Sequence, residues 1–72
     1  MTPITTVEQA IERIASYEGR AEDFQLPIAE SLLDPVGMNM ALIGDHLLAK
    51  GFLPDGFEQR EGYRLYRYRS AK

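Results

Sequence analysis

The fold is decided by residues 57–69, FEQREGYRLYRYR, near the end of a chain of 72 residues. Aromatic residues crowd the second half of this stretch, and the helical period that marks earlier segments is absent from it. Aromatic side chains favour strands, and Gly62 separates two short runs at 57–60 and 63–69. The pattern predicts an antiparallel β-hairpin.

The turn around Gly62 sets which side chains of the hairpin face the core. A type I turn over Arg60 and Glu61 needs positive φ only at Gly62, whereas a two-residue type I′ turn also needs it at Glu61. We favour the first turn, which pairs residue 59 with 63, 58 with 64 and 57 with 65. Opposite charges then face each other at positions 58 and 64, as stable cross-strand pairs do.

The favoured register predicts two sets of side chains. Those that point to the core are Phe57, Tyr63 and Leu65, and those that point away from it are Arg64, Tyr66 and Tyr68. The tighter turn is the open alternative, and it places Phe57 on the face of Tyr66 and Tyr68. A shift of one residue exchanges the inside and outside sets, because side chains alternate along a strand.

Two helices are predicted in the first half of the chain. The clearer one spans about residues 6–18, because Thr6 and Gln9 match a capping box and apolar residues recur on one face. A short helix over about residues 27–33 is predicted because Pro27 is suited to a first helical position.

A third helix is predicted over about residues 35–50. Asp34 can cap its free N–H groups, and Pro35 fits the first helical position. This helix is apolar around more than half its girth. Met38 and Leu42 fall opposite its main apolar stripe, so they mark a second contact patch.

Length and composition predict one small α+β domain, with the order helix, short helix, helix and C-terminal hairpin. A chain of 72 residues is too short for two cores. The absence of cysteine fits a reducing compartment, and no apolar run approaches the ~20 residues of a membrane span. We therefore expect a cytoplasmic protein without membrane contact.

The charges are distributed unevenly along the chain. Residues 1–58 contain three basic and ten acidic side chains, a net charge of −7, whereas residues 59–72 have a net charge of +4. The C-terminal segment is therefore a local cation on an acidic body.

No constellation of residues indicates catalysis. His46 is the single histidine, and Asp45 is its direct neighbour in the chain, so their side chains diverge on a helix. Zinc sites need three or four protein ligands, and the chain has no cysteine to supply them. We expect no enzyme activity, metal, cofactor or small-molecule substrate.

The alternating tyrosines and arginines of the hairpin are the residues that folding explains least. Such side chains are enriched at binding hot spots and on nucleic-acid platforms. We therefore predict a non-enzymatic interaction module that binds a protein partner, or a second copy of itself, through the hairpin. The predicted contact residues are Arg60, Arg64, Tyr66, Arg67, Tyr68 and Arg69.

The predicted element order resembles a winged-helix domain, in which a third helix is followed by a hairpin called the wing. The resemblance implies nucleic-acid binding as the alternative function, with residues 35–50 as the recognition helix. That helix departs from the pattern, because Lys50 is its single firm cation. Nucleic-acid binding would therefore depend on the hairpin, with arginines contacting phosphate and Tyr66 and Tyr68 stacking on bases.

Overall fold

The computed structural model describes residues 2–71 and contains two α-helices and three strands. The elements in chain order are α1 (Val7–Ser16), β1 (Gln25–Ala29), α2 (Met38–Ala49), β2 (Phe52–Arg60) and β3 (Tyr63–Ser70), with short 3₁₀ turns at Ala21–Asp23 and Glu30–Leu32. The strands form one antiparallel sheet in the order β1-β3-β2. The predicted α+β class with a C-terminal hairpin is confirmed.

Helix α1 begins where the sequence predicts. The Thr6 hydroxyl accepts a hydrogen bond from the Gln9 N–H at 3.2 Å, and the Thr5 N–H donates to Gln9 Oε1 at 3.1 Å. The first bond satisfies an N–H group that an uncapped first turn leaves free, and the second ties the Gln9 side chain to the residue before the N-cap. At the other end, the Lys50 ammonium donates to the carbonyls of Ile14 and Tyr17 and so caps the last turn.

The short helix predicted over residues 27–33 is wrong. Residues up to Ala29 belong to β1, and a single 3₁₀ turn follows. Leu26 and Ile28, two residues apart, belong to the core, and Pro27 between them is fully buried as well. Pro27 does not remove a hydrogen bond to β3, because its backbone nitrogen and carbonyl point away from β3. The Pro27 carbonyl accepts from the Ile4 N–H at 2.6 Å.

Helix α2 starts at Met38, later than the predicted Pro35. The Asp34 carboxylate does cap it, because its two oxygens accept from the N–H groups of Met38 and Asn39 at 3.0 and 3.1 Å. The chain needs the intervening turn at Pro35 to bring that carboxylate to the first turn of the helix. The structure thus places the predicted α2 after a strand and not after a second helix.

The core lies between the two helices and one face of the sheet, which we call the inner face. Its buried side chains come from every element of the fold. They are Ile4, Ala10, Ile14, Ala21, Phe24, Leu26, Ile28, Leu32, Ile43, Leu47, Phe52 and Tyr68. Within residues 2–71, no helix is long and apolar enough to cross a membrane.

The hairpin adopts the tighter turn, so the favoured register is wrong by one residue. Arg60 pairs with Tyr63, Gln59 with Arg64 and Phe57 with Tyr66. Gly62 has a φ of +84°, and no non-glycine residue in the described chain has a positive φ. This pattern matches a type II turn, which requires positive φ only at its second central residue. Glu61 therefore does not adopt the positive φ that a type I′ turn requires.

Candidate interaction surface

The six predicted contact residues divide equally between the two faces of the sheet. Residues that pair across strands point to the same face, so the register with the buried Leu26 and Ile28 defines the inner face. The contact residues with inner parity are Arg64, Tyr66 and Tyr68, and those on the outer face are Arg60, Arg67 and Arg69. The structure therefore does not bring the six together on one surface.

Tyr68 is part of the core, which corrects the expectation that it faces solvent. Only 3% of this residue is exposed, and its ring centre lies 5.7 Å from that of Phe24. Among residues 2–71, its buried hydroxyl has no hydrogen-bond partner. Burial, with a smaller contribution from Tyr66, raises the pKa of Tyr68 above the usual value of 10. In this structure Tyr68 offers no surface to a partner.

Tyr66 is half-buried and packs against the core. It also forms a small cluster with Phe57 and Arg64. Its ring centre lies 5.2 Å from that of Phe57, which is 50% exposed. The Arg64 guanidinium carbon lies 4.6 Å from the centre of the Phe57 ring, and Arg64 Nη1 donates to the Tyr66 hydroxyl at 3.3 Å. These contacts hold Arg64 in one place, although no carboxylate in the described chain pairs with it.

The outer face contains more guanidinium groups than carboxylates. Arg60 and Arg67 both contact the same Glu58 oxygen, at 2.9 and 2.7 Å. Arg69 is exposed and has no ion pair within the described residues. Tyr63, opposite Arg60 in the register, is half-buried on this face. We call Arg60, Arg67 and Arg69 the arginine face.

The far end of β3 is held by a side chain from the acidic body. The Glu22 carboxylate accepts from the Ser70 N–H at 3.1 Å. Hydrogen bonds from its own backbone N–H and from that of Ser70 lower the pKa of Glu22. This carboxylate therefore tethers the backbone of β3 next to Arg69.

Met38 and Leu42, which the sequence predicts as a second patch, are exposed on α2, and two further apolar side chains on or just before this helix are exposed too. Met38 is 63% exposed, and Leu42 is exposed as well. Sequence reasoning missed Val36, 81% exposed, and Leu48, 58% exposed. A helical projection could have identified Leu48, because it lies about 100° from the buried Leu47 on the side away from the core.

His46 does not belong to a cluster of possible metal ligands in the described chain. Among residues 2–71, no group of three or more His, Cys, Asp or Glu side chains could hold a metal ion. His46 is exposed on α2, one turn from the exposed Leu42. No protein-family model matches this chain, and the same holds for curated proteins and for solved structures.

Proposed function

We propose that this protein is a non-enzymatic interaction module that binds an acidic surface of a protein partner through the arginine face. The observation that carries the proposal is the shortage of counter-ions: Arg60 and Arg67 share the single carboxylate of Glu58, and Arg69 has no ion pair in the described chain. Guanidinium forks bind carboxylates in a defined bidentate geometry. An acidic segment of a partner supplies the carboxylates that the outer face lacks.

The fold supports this use of the outer face. Both α-helices pack on the inner face, and the arginines stand on the opposite side of the sheet. Charge is also separated along the chain, since residues 1–58 carry a net charge of −7 and residues 59–72 one of +4. Such a separation orients an approaching acidic partner toward the hairpin and raises its association rate.

Nucleic-acid binding is the less favoured function. Sequence-tolerant binding of single strands uses exposed aromatic rings on which bases stack, and here Tyr68 is buried and Tyr66 half-buried. Phosphate contacts to the arginines remain available, so the shortage of exposed stacking rings is what disfavours this function.

The test compares variants that remove the same charge from different sides of the molecule. Arg67→Gln/Arg69→Gln removes two charges from the arginine face, and Arg13→Gln/Arg20→Gln removes two from the helical side. The probe is a fluorescein-labelled oligo-glutamate peptide, with an oligo-serine peptide of equal length as its control. Fluorescence anisotropy at low salt measures the dissociation constant.

We expect the wild type to bind the glutamate peptide and not the serine peptide. Removal of two charged hydrogen-bonding groups should weaken binding by about tenfold or more, whereas the Arg13/Arg20 variant should bind like the wild type. Absence of binding to the glutamate peptide, or equal weakening in both variants, would overturn the proposal. Tighter binding of single- or double-stranded oligonucleotides would assign the face to nucleic acid instead.

A further inference from the structure

The two edges of the sheet differ in how they are covered. The edge of β1 is occupied by the N-terminal segment, because the Ile4 N–H donates to the Pro27 carbonyl at 2.6 Å and the Ile4 carbonyl accepts from Ala29 at 2.9 Å. Strand β2 pairs only with β3 within the described chain, and no other described segment bonds to its backbone. The edge of β2 is therefore open, and open edges are templates for pairing with another strand.

The register identifies which backbone groups of β2 face outward. The Glu30 N–H donates to the Gly62 carbonyl at 3.0 Å, so even-numbered residues at this end of β3 bond toward β1. Odd-numbered residues such as Tyr63 and Leu65 then bond toward β2, to their partners Arg60 and Glu58. The N–H and C=O groups of Phe57 and Gln59 consequently point away from the sheet.

The first half of β2 is unsuited to pairing. Pro54 has outward parity but no N–H to donate, and the pairing with β3 is irregular between Pro54 and Phe57. A second strand therefore has access to a regular edge only over residues 57–60. Such a short edge restricts the registers that a partner strand can adopt.

A second copy of the chain fits this edge in one register. When two identical strands pair antiparallel with their outward groups facing each other, one residue lies opposite its own copy, and the twofold axis passes midway between the two. An axis at position 58 places Glu58 opposite Glu58 of the second copy, and one at position 60 places Arg60 opposite Arg60. An axis at Gln59 places Glu58 opposite Arg60 twice, and opposite charges stabilise directly facing pairs.

We propose that two copies of this chain associate by antiparallel pairing of their β2 strands, centred on Gln59. The two Gln59 residues exchange a pair of backbone hydrogen bonds, and two Glu58–Arg60 pairs flank them on the outer face. The result is a continuous six-stranded sheet with the twofold symmetry of an isologous dimer. This association uses the edge of β2 and a second copy, so it does not depend on the binding of an acidic partner.

The dimer is weak and concentration-dependent. The pairing joins about four residues on each side, far fewer than the roughly 20–30 of a standard interface. Mutation of either charged residue should affect it strongly, because twofold symmetry places each substitution in the contact twice.

The decisive test mixes two charge-reversed variants. Glu58→Arg alone places two arginines opposite each other at both contacts, and Arg60→Glu alone places two glutamates there. In a mixture of the two variants every contact again joins an arginine to a glutamate. Asp55→Arg is the matched control, because it makes the same charge change as Glu58→Arg in the irregular part of β2.

Sedimentation equilibrium over a range from micromolar to millimolar protein measures the dissociation constant. We expect self-association of the wild type and of Asp55→Arg, at least about tenfold weaker association of each single variant, and recovery in the equimolar mixture. Recovery also excludes misfolding as the cause of the loss. A monomeric wild type at millimolar concentration, or single variants that self-associate as well as the wild type, would overturn the proposal.

A backbone variant distinguishes strand pairing from a side-chain contact. Gln59→Pro removes an outward N–H that takes no part in the pairing with β3, so the hairpin keeps its ladder. We expect it to be monomeric, whereas Gln59→Ser, which also shortens the side chain but keeps the N–H, should still dimerise. Equal dimerisation of the two folded variants would contradict pairing through β2.

Discussion

The two faces of β3 differ in burial, although one short strand supplies both. On the inner face Tyr68 is buried against Phe24, and on the outer face Arg67 and Arg69 are exposed. From residue 66 to residue 69 the period of two places the tyrosines on the inner face and the arginines on the outer face, whereas Tyr63 and Arg64 are placed the other way round. Leu65 also lies on the outer face, but it is only 7% exposed.

Tyr68→Ala should show the largest difference in stability between a substitution on the inner face and one on the outer face. Truncation of a large buried ring typically costs about 3–5 kcal/mol, a large part of the roughly 5–15 kcal/mol that holds a small domain together. Its neighbour Arg69 has no ion pair in the described chain, so Arg69→Ala should change the free energy of unfolding by less than about 0.5 kcal/mol. Urea denaturation measures both, and similar losses in the two variants would contradict the division between the faces.

Leu65→Ala tests whether the outer face contributes to stability at all. Leu65 lies between Pro27 and Glu58 in the register and is almost fully covered. We expect a cost of about 2 kcal/mol, at the lower end of buried leucine truncations, because the long side chains around it can collapse into the space.

Leu42→Ala on α2 is the control for this prediction, since it makes the same change at an exposed position. Its expected cost is below about 1 kcal/mol. If the two truncations cost the same, then Leu65 is not packed as the register indicates, and the outer face contributes little to stability.

Local signals in the sequence were sufficient for the start of α1. The bonds between Gln9 and the threonines before it join residues within four positions of each other, so no distant part of the chain is needed to form them. The same applies to Asp34, whose carboxylate caps the first turn of α2. The hairpin was also predictable, because Gly62 and the aromatic run mark it locally.

Contacts between distant segments decided the rest. Residues 25–29 become a strand because β3 and Ile4 pair with them on either side, and the sequence around Pro27 contains no sign of those partners. The register of the hairpin depends on the φ of Glu61. A type I′ turn needs a positive φ there, whereas a type II turn of the same length does not. That one-residue difference moves Tyr68 from the predicted surface into the core, and it places Arg67 and Arg69 on the outer face.

Removal of the buried Tyr68 hydroxyl should change stability at neutral pH less than either core truncation above. Tyr68 Oη is buried and has no hydrogen-bond partner among the described residues, and an unsatisfied buried polar group opposes folding. Tyr68→Phe keeps the ring and removes the hydroxyl. We expect the free energy of unfolding at neutral pH to rise by up to about 1 kcal/mol, as measured by urea denaturation.

The same variant should change how stability depends on pH. Tyrosine in the unfolded chain has a pKa of about 10, and burial raises the pKa of Tyr68 in the folded protein above this value. Above pH 10 the unfolded chain therefore loses a proton that the folded chain retains. Unfolding is then favoured as pH rises, by about 1.4 kcal/mol at one pH unit above the unfolded pKa. The advantage of Tyr68→Phe should therefore widen by about this amount between pH 8 and pH 11, while the other three tyrosines affect both proteins equally. Parallel stability curves for the two proteins would mean that the phenol is hydrated, and that the inner face is more open than its 3% exposure indicates.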